Sequence, residues 1–192
     1  MKFTEEEGQH FYDLWLPLLQ WANHQYKVTD VLPENLLDRT KGHDPEGIQE
    51  LAGYVYDHPD VIEAYVKANP DGMNEEDLQT ISDWKYNVQG MFVVERILKK
   101  GAIFIKDEDS VFRVSPILSP WDEVLPPYLP LPLMVQTTLL PYKGTIIYGS
   151  LIGVRPIIMG PGMKRHYKED YLAAKKHNAI ISTAEELIER MM

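Results

Sequence analysis

The first 90 positions of the chain carry hydrophobic residues at the spacing of amphipathic helices. The apolar residues of the first segment are Phe11, Leu14, Trp15, Leu18, Leu19, Ala22 and Tyr26. Thr4 and Glu7 form an S/T-x-x-E capping pattern before it, so we predict one long helix here. Pro17 lies inside this segment and has no N–H to donate, which predicts a kink or a division into two helices.

Three shorter helices are predicted next, each marked by residues that typically begin or end a helix. Asp44-Pro45 predicts the start of the second, and His58-Pro59 predicts its end. The third is predicted to stop at Asn69-Pro70, and Asn74 begins the fourth, which Gly90 ends. The buried stripe of the fourth helix is predicted to contain Leu78, Ile81, Trp84 and Val88.

From residue 91 the hydrophobic spacing changes to that of β-strands. Residues 92–98 and 102–105 flank Lys99-Lys100-Gly101, a pattern typical of a hairpin. We predict a second hairpin turn at Lys143-Gly144, because Gly144 tolerates a positive φ. The remaining predicted strands are residues 111–114, 134–140, 145–148 and 154–159.

The proline content predicts an irregular loop over residues 115–132, with one helical turn at residues 121–124 and with Tyr128 packed. Gly160-Pro161-Gly162 then opens a helix, and Ser182-x-x-Glu185 predicts a capping box before the last one.

These elements predict an α+β fold with N-terminal helices, a central antiparallel sheet or small barrel of about six strands, and C-terminal helices. We expect a single domain over residues 1–192, with a helical part at 1–90, a β part at 91–159 and C-terminal helices at 160–192.

The net charge of −10 is unevenly distributed along the chain. Residues 1–90 carry 6 basic and 18 acidic side chains, whereas residues 141–178 carry 7 basic and 2 acidic ones. An acidic first half argues against a nucleic-acid partner, because neutralisation of phosphates supplies much of the affinity for nucleic acids.

The composition excludes several classes of protein. The chain has no cysteine, which excludes disulfides, thiolate zinc sites and a cysteine nucleophile. No apolar run approaches the roughly 18 residues that span a bilayer, and the first residues soon become acidic. We therefore expect a soluble, cytoplasmic protein with no signal peptide and no membrane partner.

Several segments together resemble a family of prokaryotic proteins of unassigned activity. They are Phe11-Tyr12-x-Leu14-Trp15-x-Pro17-Leu18-Leu19, Asn69-Pro70-Asp71-Gly72, Trp84 with Gly90-Met91-Phe92, Ile103-Phe104-Ile105, and Leu139-Leu140-Pro141-Tyr142-Lys143-Gly144-x-Ile146-Ile147-Tyr148. The resemblance covers about residues 11–183 and implies no ligand, reaction or catalytic residue. That family typically continues with Asp-Gly-Leu, whereas this chain has Gly149-Ser150-Leu151. If the family's acidic residue is a ligand or a base, this protein lacks it.

A basic turn at residues 160–168 is the candidate binding site. Backbone N–H groups and cationic side chains at a helix start suit a phosphate or a carboxylate. The candidate ligand-binding residues are Lys143, Arg155, Gly162, Lys164, Arg165 and His166. The segment matches neither glycine-rich phosphate motif, and a solvated amphipathic helix is the more frequent meaning of such a charge run.

Searches for catalytic and metal sites give weaker patterns. No two of the six histidines have the i, i+3 or i+4 spacing of a helical metal site, although His43-Asp44 and Asp57-His58-x-Asp60 could converge. Ser150 follows a glycine but lacks the G-x-S-x-G pattern. We therefore predict no metal and no cofactor, and the sequence leaves open whether the protein is an enzyme.

Two functions remain. The first is a non-catalytic cytoplasmic binding or protein-interaction module. Tyr12 and Trp21 fall off the main stripe of the first helix, so they could form either an exposed aromatic patch or a groove against the proline-rich loop. The alternative is an enzyme or sensor that binds a small anionic ligand at the basic turn of residues 160–168, together with Lys143 or Arg155. The sequence does not indicate the oligomeric state.

Overall fold

The computed structural model describes residues 3–33, 35–38, 44–107 and 110–192. The chain divides into two compact units. Glu6–Lys85 form the helical unit, and Met1–Glu5 together with Tyr86–Met192 form the barrel unit. Helices precede and follow a central sheet, so the predicted α+β class and its order of elements are confirmed.

The described residues of the first part of the chain form four helices: α1 (Glu5–Tyr26), α2 (Pro45–Asp57), α3 (Pro59–Ala68) and α4 (Glu75–Asp83). The predicted caps are confirmed, because the Asp44 carboxylate accepts the Gly47 N–H at 2.7 Å and the Asn74 side chain accepts the Asp77 N–H at 2.9 Å. Pro17 does not divide α1, which is assigned as one helix of 22 residues.

Aromatic side chains fill the core of the helical unit. The Phe11 ring lies 5.8 Å from Trp15 and 5.5 Å from Trp84, and Trp84 is fully buried as predicted. The predicted extent of α4 is wrong at its C-terminal end. Trp84 caps the helix, whereas Val88 and Gly90 already belong to the first strand.

Five strands are described: β1 (Val88–Leu98), β2 (Gly101–Ile105), β3 (Val111–Ser115), β4 (Leu133–Tyr142) and β5 (Thr145–Arg155). They close into a barrel in the order β1-β2-β3-β5-β4, with β4 pairing back to β1. The β3–β5 pair is parallel and the other pairs are antiparallel, so the sheet is mixed. This is the Greek-key arrangement of the OB-fold.

The strand count differs from the prediction because two predicted strands, residues 145–148 and 154–159, form the single strand β5 up to Arg155. An irregularity in the ladder separates them: Tyr148 pairs with Leu139, and Ile152 pairs with Thr137. The chain between them bulges out of register, and Ser150 has φ 65° there.

The hairpin turn predicted at Lys143-Gly144 is confirmed. Tyr142 pairs with Thr145, and the turn residues have φ 44° and 71°. Positive φ at both central positions is typical of a type I′ turn, which matches the twist of the strands. Pro141 lies inside β4, and its lack of an N–H is tolerated because pairing of β4 with β1 stops at Leu139.

Three helices complete the barrel unit: α5 (Trp121–Val124), α6 (Pro161–Lys176) and α7 (Ala184–Met191). The short helix α5 confirms the predicted turn, and its Trp121 ring lies 5.3 Å from Phe104. Tyr128, in contrast, is 81% exposed, so the prediction that it packs is wrong. The capping box of α7 is one residue later than predicted, at Thr183 and Glu186.

The outer face of β2 and β3 is covered by α6. Tyr171 and Ala174 of this helix pack on Ile103, Ile105 and Val111. Glu95 and Arg96 form an ion pair, and the Arg96 guanidinium lies 4.1 Å from the centre of the Tyr171 ring. Apolar packing and this charged contact together fix α6 on the barrel.

Candidate functional site

A cleft of about 370 Å³ lies where the β1–β2 turn, β3 and the β4–β5 turn meet the segment before α7. Its lining residues are Lys100, Arg113, Gly144, Thr145, Ser182 and Thr183. The cleft thus combines two cationic side chains, three hydroxyl groups and a glycine.

Glycine at position 101 lets the β1–β2 turn lie against β3. Gly101 has φ 137°, and a Cβ atom there would lie 2.6 Å from the Val114 carbonyl oxygen and 3.3 Å from Cγ of Arg113. Any larger residue would push the two strands apart. The close approach therefore places the aliphatic part of the Arg113 side chain beside the turn that contains Lys100.

The segment before α7 reaches the cleft through backbone pairing with β3. The Ile181 N–H donates to the Val111 carbonyl at 2.9 Å, and the Arg113 N–H donates to the Ile181 carbonyl at 2.8 Å. The second part of β3, in contrast, pairs with β5 at Val114 and Ser115. Ser182 and Thr183 follow the paired Ile181 and so complete the cleft.

The hydroxyl groups of the cleft are fixed by neighbouring contacts. The Thr183 hydroxyl accepts the Glu186 N–H at 3.2 Å, and Glu186 Oε2 in turn accepts the N–H groups of Ser182 and Thr183 at 2.7 and 3.1 Å. The Thr145 hydroxyl lies 3.2 Å from that of Ser115. Because donors surround the Glu186 carboxylate, its charge is partly offset by its role in the helix cap.

Among the described residues, the two cations of the cleft have no acidic partner. Within residues 3–33, 35–38, 44–107 and 110–192, neither Lys100 nor Arg113 forms an ion pair with a carboxylate. Arg96 differs, because the Glu95 carboxylate accepts its hydrogen bonds and raises its pKa. The charges of Lys100 and Arg113 are therefore available to a ligand.

Lys143 and Arg155, predicted as alternative additions to the basic turn, lie at opposite ends of β5. Lys143 precedes Gly144, and its Nζ lies 5.9 Å from the centre of the Tyr142 ring. Arg155 ends the strand and donates to the Gln136 side chain at 2.6 Å. The 11 residues of β5 span roughly 30 Å at the usual rise per residue. One small ligand therefore cannot contact both cations.

The other predicted ligands lie in the first turns of α6. Gly162, Lys164, Arg165 and His166 are all exposed, and none lines the cleft. His166 Nε2 lies 3.6 Å from an Asp170 carboxylate oxygen, so an acidic group already faces this imidazole. These four residues lie together at the start of α6.

Sequence reasoning did not identify Lys100, Arg113, Ser182 or Thr183 as parts of one site. The turn at Lys100 and a cap near Ser182 were recognisable locally. Their convergence depends on parallel β3–β5 pairing and on the bridge between Phe112 and Ile181, which are 69 positions apart. A local pattern carries no signal for pairing at that separation.

The remaining candidate sites differ from their predictions or go beyond the described residues. Trp21 and Tyr12 are half-buried, with their rings 5.5 Å from Tyr65 and 5.2 Å from Phe11, so neither is free to form the expected exposed patch. His43 falls outside the described residues. The described residues contain no group of three or more histidine or acidic side chains suited to a metal ion.

Comparison with known proteins gives no relative: no protein-family profile, curated protein or solved structure matches the chain significantly. In the described part of the chain, every helix is too short or too polar to cross a membrane.

Proposed function

We propose that this protein is a non-catalytic cytoplasmic binding module that holds a small anionic ligand in the cleft of Lys100 and Arg113. One observation carries the proposal: the β1–β2 turn and β3 each place a cation on the same polar cleft. Among the described residues, neither cation has an acidic partner. The ligand carries a phosphate or a carboxylate.

The two cations offer complementary chemistry. The planar guanidinium of Arg113 can donate two parallel hydrogen bonds to one phosphate or carboxylate group, and the Lys100 ammonium adds a mobile point charge. Because Gly144 has no side chain, its backbone borders the cleft directly. A volume of about 370 Å³ is at the small end of ligand sites, which favours a metabolite-sized molecule.

The lining residues favour binding over catalysis. None of the six is a histidine or a carboxylate that could accept a proton at neutral pH. Two of the hydroxyls also have structural partners, Thr145 with Ser115 and Thr183 with the α7 cap. The cleft can thus attract and orient an anion but has no evident base to activate it.

The position of α6 favours a small ligand over a nucleic acid. Barrels of the OB type commonly bind oligonucleotides on the face of their second and third strands, with help from the β1–β2 and β4–β5 turns. Here Tyr171 and Ala174 of α6 cover that face, whereas the two turns border the cleft. The fold alone assigns no ligand, because one fold can bind many different ligands.

Thermal unfolding with inorganic phosphate, sulfate and citrate tests the proposal. A ligand that binds only the folded protein raises Tm with its concentration. We expect this rise in the wild type and its loss in Lys100→Gln/Arg113→Gln. Lys175→Gln/Lys176→Gln, which removes the same charge from exposed positions at the end of α6, is the matched control and should keep the rise.

Two results would contradict the proposal. An equal rise in Tm for the wild type, Lys100→Gln/Arg113→Gln and Lys175→Gln/Lys176→Gln would show that the anions do not bind in the cleft. Loss of the rise in Lys164→Gln/Arg165→Gln but not in Lys100→Gln/Arg113→Gln would place the anion at the basic turn of residues 160–168.

A further inference from the structure

The segment that joins β5 to α6 exposes aliphatic side chains to solvent. Ile157 is 51% exposed, Ile158 79% and Met163 43%. Single exposed hydrophobic side chains are common, but two adjacent isoleucines with a methionine five residues later are a grouping that calls for an explanation. This surface lies outside the cleft lining.

The exposed isoleucines are held between two fixed points. On one side, the Ile157 N–H donates to the Arg155 carbonyl at 2.7 Å, which turns the chain at Pro156. On the other side, Met159 is only 3% exposed, so its side chain is packed and fixes this end of the segment. The protein therefore presents Ile157 and Ile158 outward while their neighbours are fixed.

Positive charge surrounds this apolar segment. Residues 154–168 contain four permanent cations and no acidic residue, in a chain whose net charge is −10. The four cations are Arg155, Lys164, Arg165 and Lys168, and all are exposed. The nearest acidic residues along α6 are Glu169 and Asp170, and Asp170 faces His166 at 3.6 Å.

We propose that residues 155–168, the apolar-basic surface, dock on an anionic membrane. Ile157 and Ile158 insert at the boundary between headgroups and acyl chains, while the cations contact lipid phosphates. Peripheral proteins combine these two contributions, since neither a few apolar side chains nor a few charges is sufficient alone. Such docking needs no spanning segment, and the absence of a long apolar run in the sequence does not oppose it.

The high exposure of Ile158 favours lipid over a protein partner. A side chain 79% exposed lies on a convex part of the surface. A protein would need a matching pocket to cover it, whereas a bilayer adapts to its shape and supplies a continuous negative surface to the flanking cations. The interaction is independent of the anion cleft, so either proposal can fail without the other.

Vesicle flotation tests the docking with two compositions: phosphatidylcholine alone, and equimolar phosphatidylcholine and phosphatidylglycerol. We expect the wild type to float with the anionic vesicles and to bind them less as sodium chloride increases. Ile157→Ser/Ile158→Ser and, separately, Lys164→Gln/Arg165→Gln should each weaken this binding at least about tenfold.

Two matched controls separate docking from general effects. Leu118→Ser alters another exposed aliphatic residue, and Lys175→Gln/Lys176→Gln removes equal charge at the far end of α6; both should float like the wild type. Circular dichroism confirms that each variant is folded. Equal flotation with both vesicle types, or unchanged flotation of the Ile157/Ile158 variant, would overturn the proposal. The proposal would also be overturned if the wild type binds neither type of vesicle but self-associates in sedimentation, and Ile157→Ser/Ile158→Ser abolishes that association.

Discussion

The helical and barrel units differ most in charge. Residues 6–85 carry 5 basic and 17 acidic side chains, a net charge of −12, whereas the rest of the chain carries 14 basic and 12 acidic ones, a net charge of +2. A small anion or an anionic lipid surface is therefore favoured electrostatically only by the barrel unit. The net charge of the whole chain does not reveal this difference, because the helical unit carries all of the excess negative charge.

The two units also differ in which polar side chains they bury in their cores. In the helical unit, the Trp15 indole N–H donates to the Tyr56 hydroxyl at 2.8 Å, and the Tyr65 hydroxyl donates to Asp71 at 2.7 Å. The barrel unit buries other polar contacts, such as the Thr145 and Ser115 hydroxyls 3.2 Å apart, beside ring contacts such as Phe92 with Phe104. The helical core should therefore respond to pH through its tyrosines as well as to loss of volume.

The largest effect is expected from Trp84→Ala in the helical unit. Removal of a fully buried tryptophan beside Phe11 should lower the free energy of unfolding by about 3–5 kcal/mol. Urea unfolding followed by circular dichroism measures this change. Tyr128→Ala, at an 81% exposed position of the barrel unit, is the control and should change stability by less than about 0.5 kcal/mol. Similar stability of the two variants would show that Trp84 is not a core residue.

Alkaline pH should destabilise the helical unit through Tyr56 and Tyr65. Burial raises the pKa of Tyr56 well above 10.0, and burial with the hydrogen bond and negative charge of Asp71 raises the pKa of Tyr65 in the same direction. Above pH 10 the unfolded chain loses these protons while the folded chain keeps them. Unfolding is therefore favoured, by up to about 1.4 kcal/mol per pH unit for each tyrosine. Below pH 10 the contribution of both groups is complete.

Unfolding free energies from urea titrations at several pH values above 10 measure this slope. Tyr56→Phe and Tyr65→Phe should each make it shallower, even though each also lowers stability at neutral pH by removing a hydrogen bond. Tyr128→Phe controls for loss of an exposed tyrosine. An unchanged slope in both buried-tyrosine variants would refute the role of these hydroxyls.

The two units also differ in how far their sequences predict their structure. Caps such as Asp44 and Asn74 act within three residues, so local patterns identified the helices. The α4 prediction was wrong only where Val88 continued the helical spacing by chance into β1. In the barrel, hairpins were predictable because their partners are adjacent. The parallel β3–β5 closure joins strands that are about 30 positions apart, and no local signal encodes it.

The same limit applied to the candidate site. Lys143, Arg155 and the basic turn at Lys164 were grouped by charge and by nearness in sequence, but β5 separates the first two along its whole length. Arg113 carried no signal because one cation in a strand is usually a solvated side chain. Pairing of β2 with β3 brings Arg113 near Lys100, and only the β3–β5 pairing adds Gly144.

The smallest effect is a pair of changes with opposite signs, one in each unit. Gly53 lies inside α2 and Gly144 lies in the β4–β5 turn, and a Cβ atom would contact nothing within 4 Å at either position. Gly53→Ala should stabilise the protein by up to about 1 kcal/mol, because alanine restricts the unfolded chain and favours a helix. Gly144→Ala should destabilise it by about 1–2 kcal/mol, because φ is 71° there and the left-handed region is unfavourable for alanine.

Because neither substitution fills or opens a cavity, the difference between them isolates backbone conformation from packing. Thermal and urea unfolding of both variants and of the wild type measure it directly. Lys143→Asn provides a second check on the turn, since asparagine accepts the φ of 44° at that position better than lysine and should stabilise slightly. If Gly53→Ala and Gly144→Ala shift stability in the same direction, then either the helix at Gly53 or the type I′ turn at Gly144 is wrong. The Lys143→Asn result would decide which, because a stabilising asparagine requires the turn.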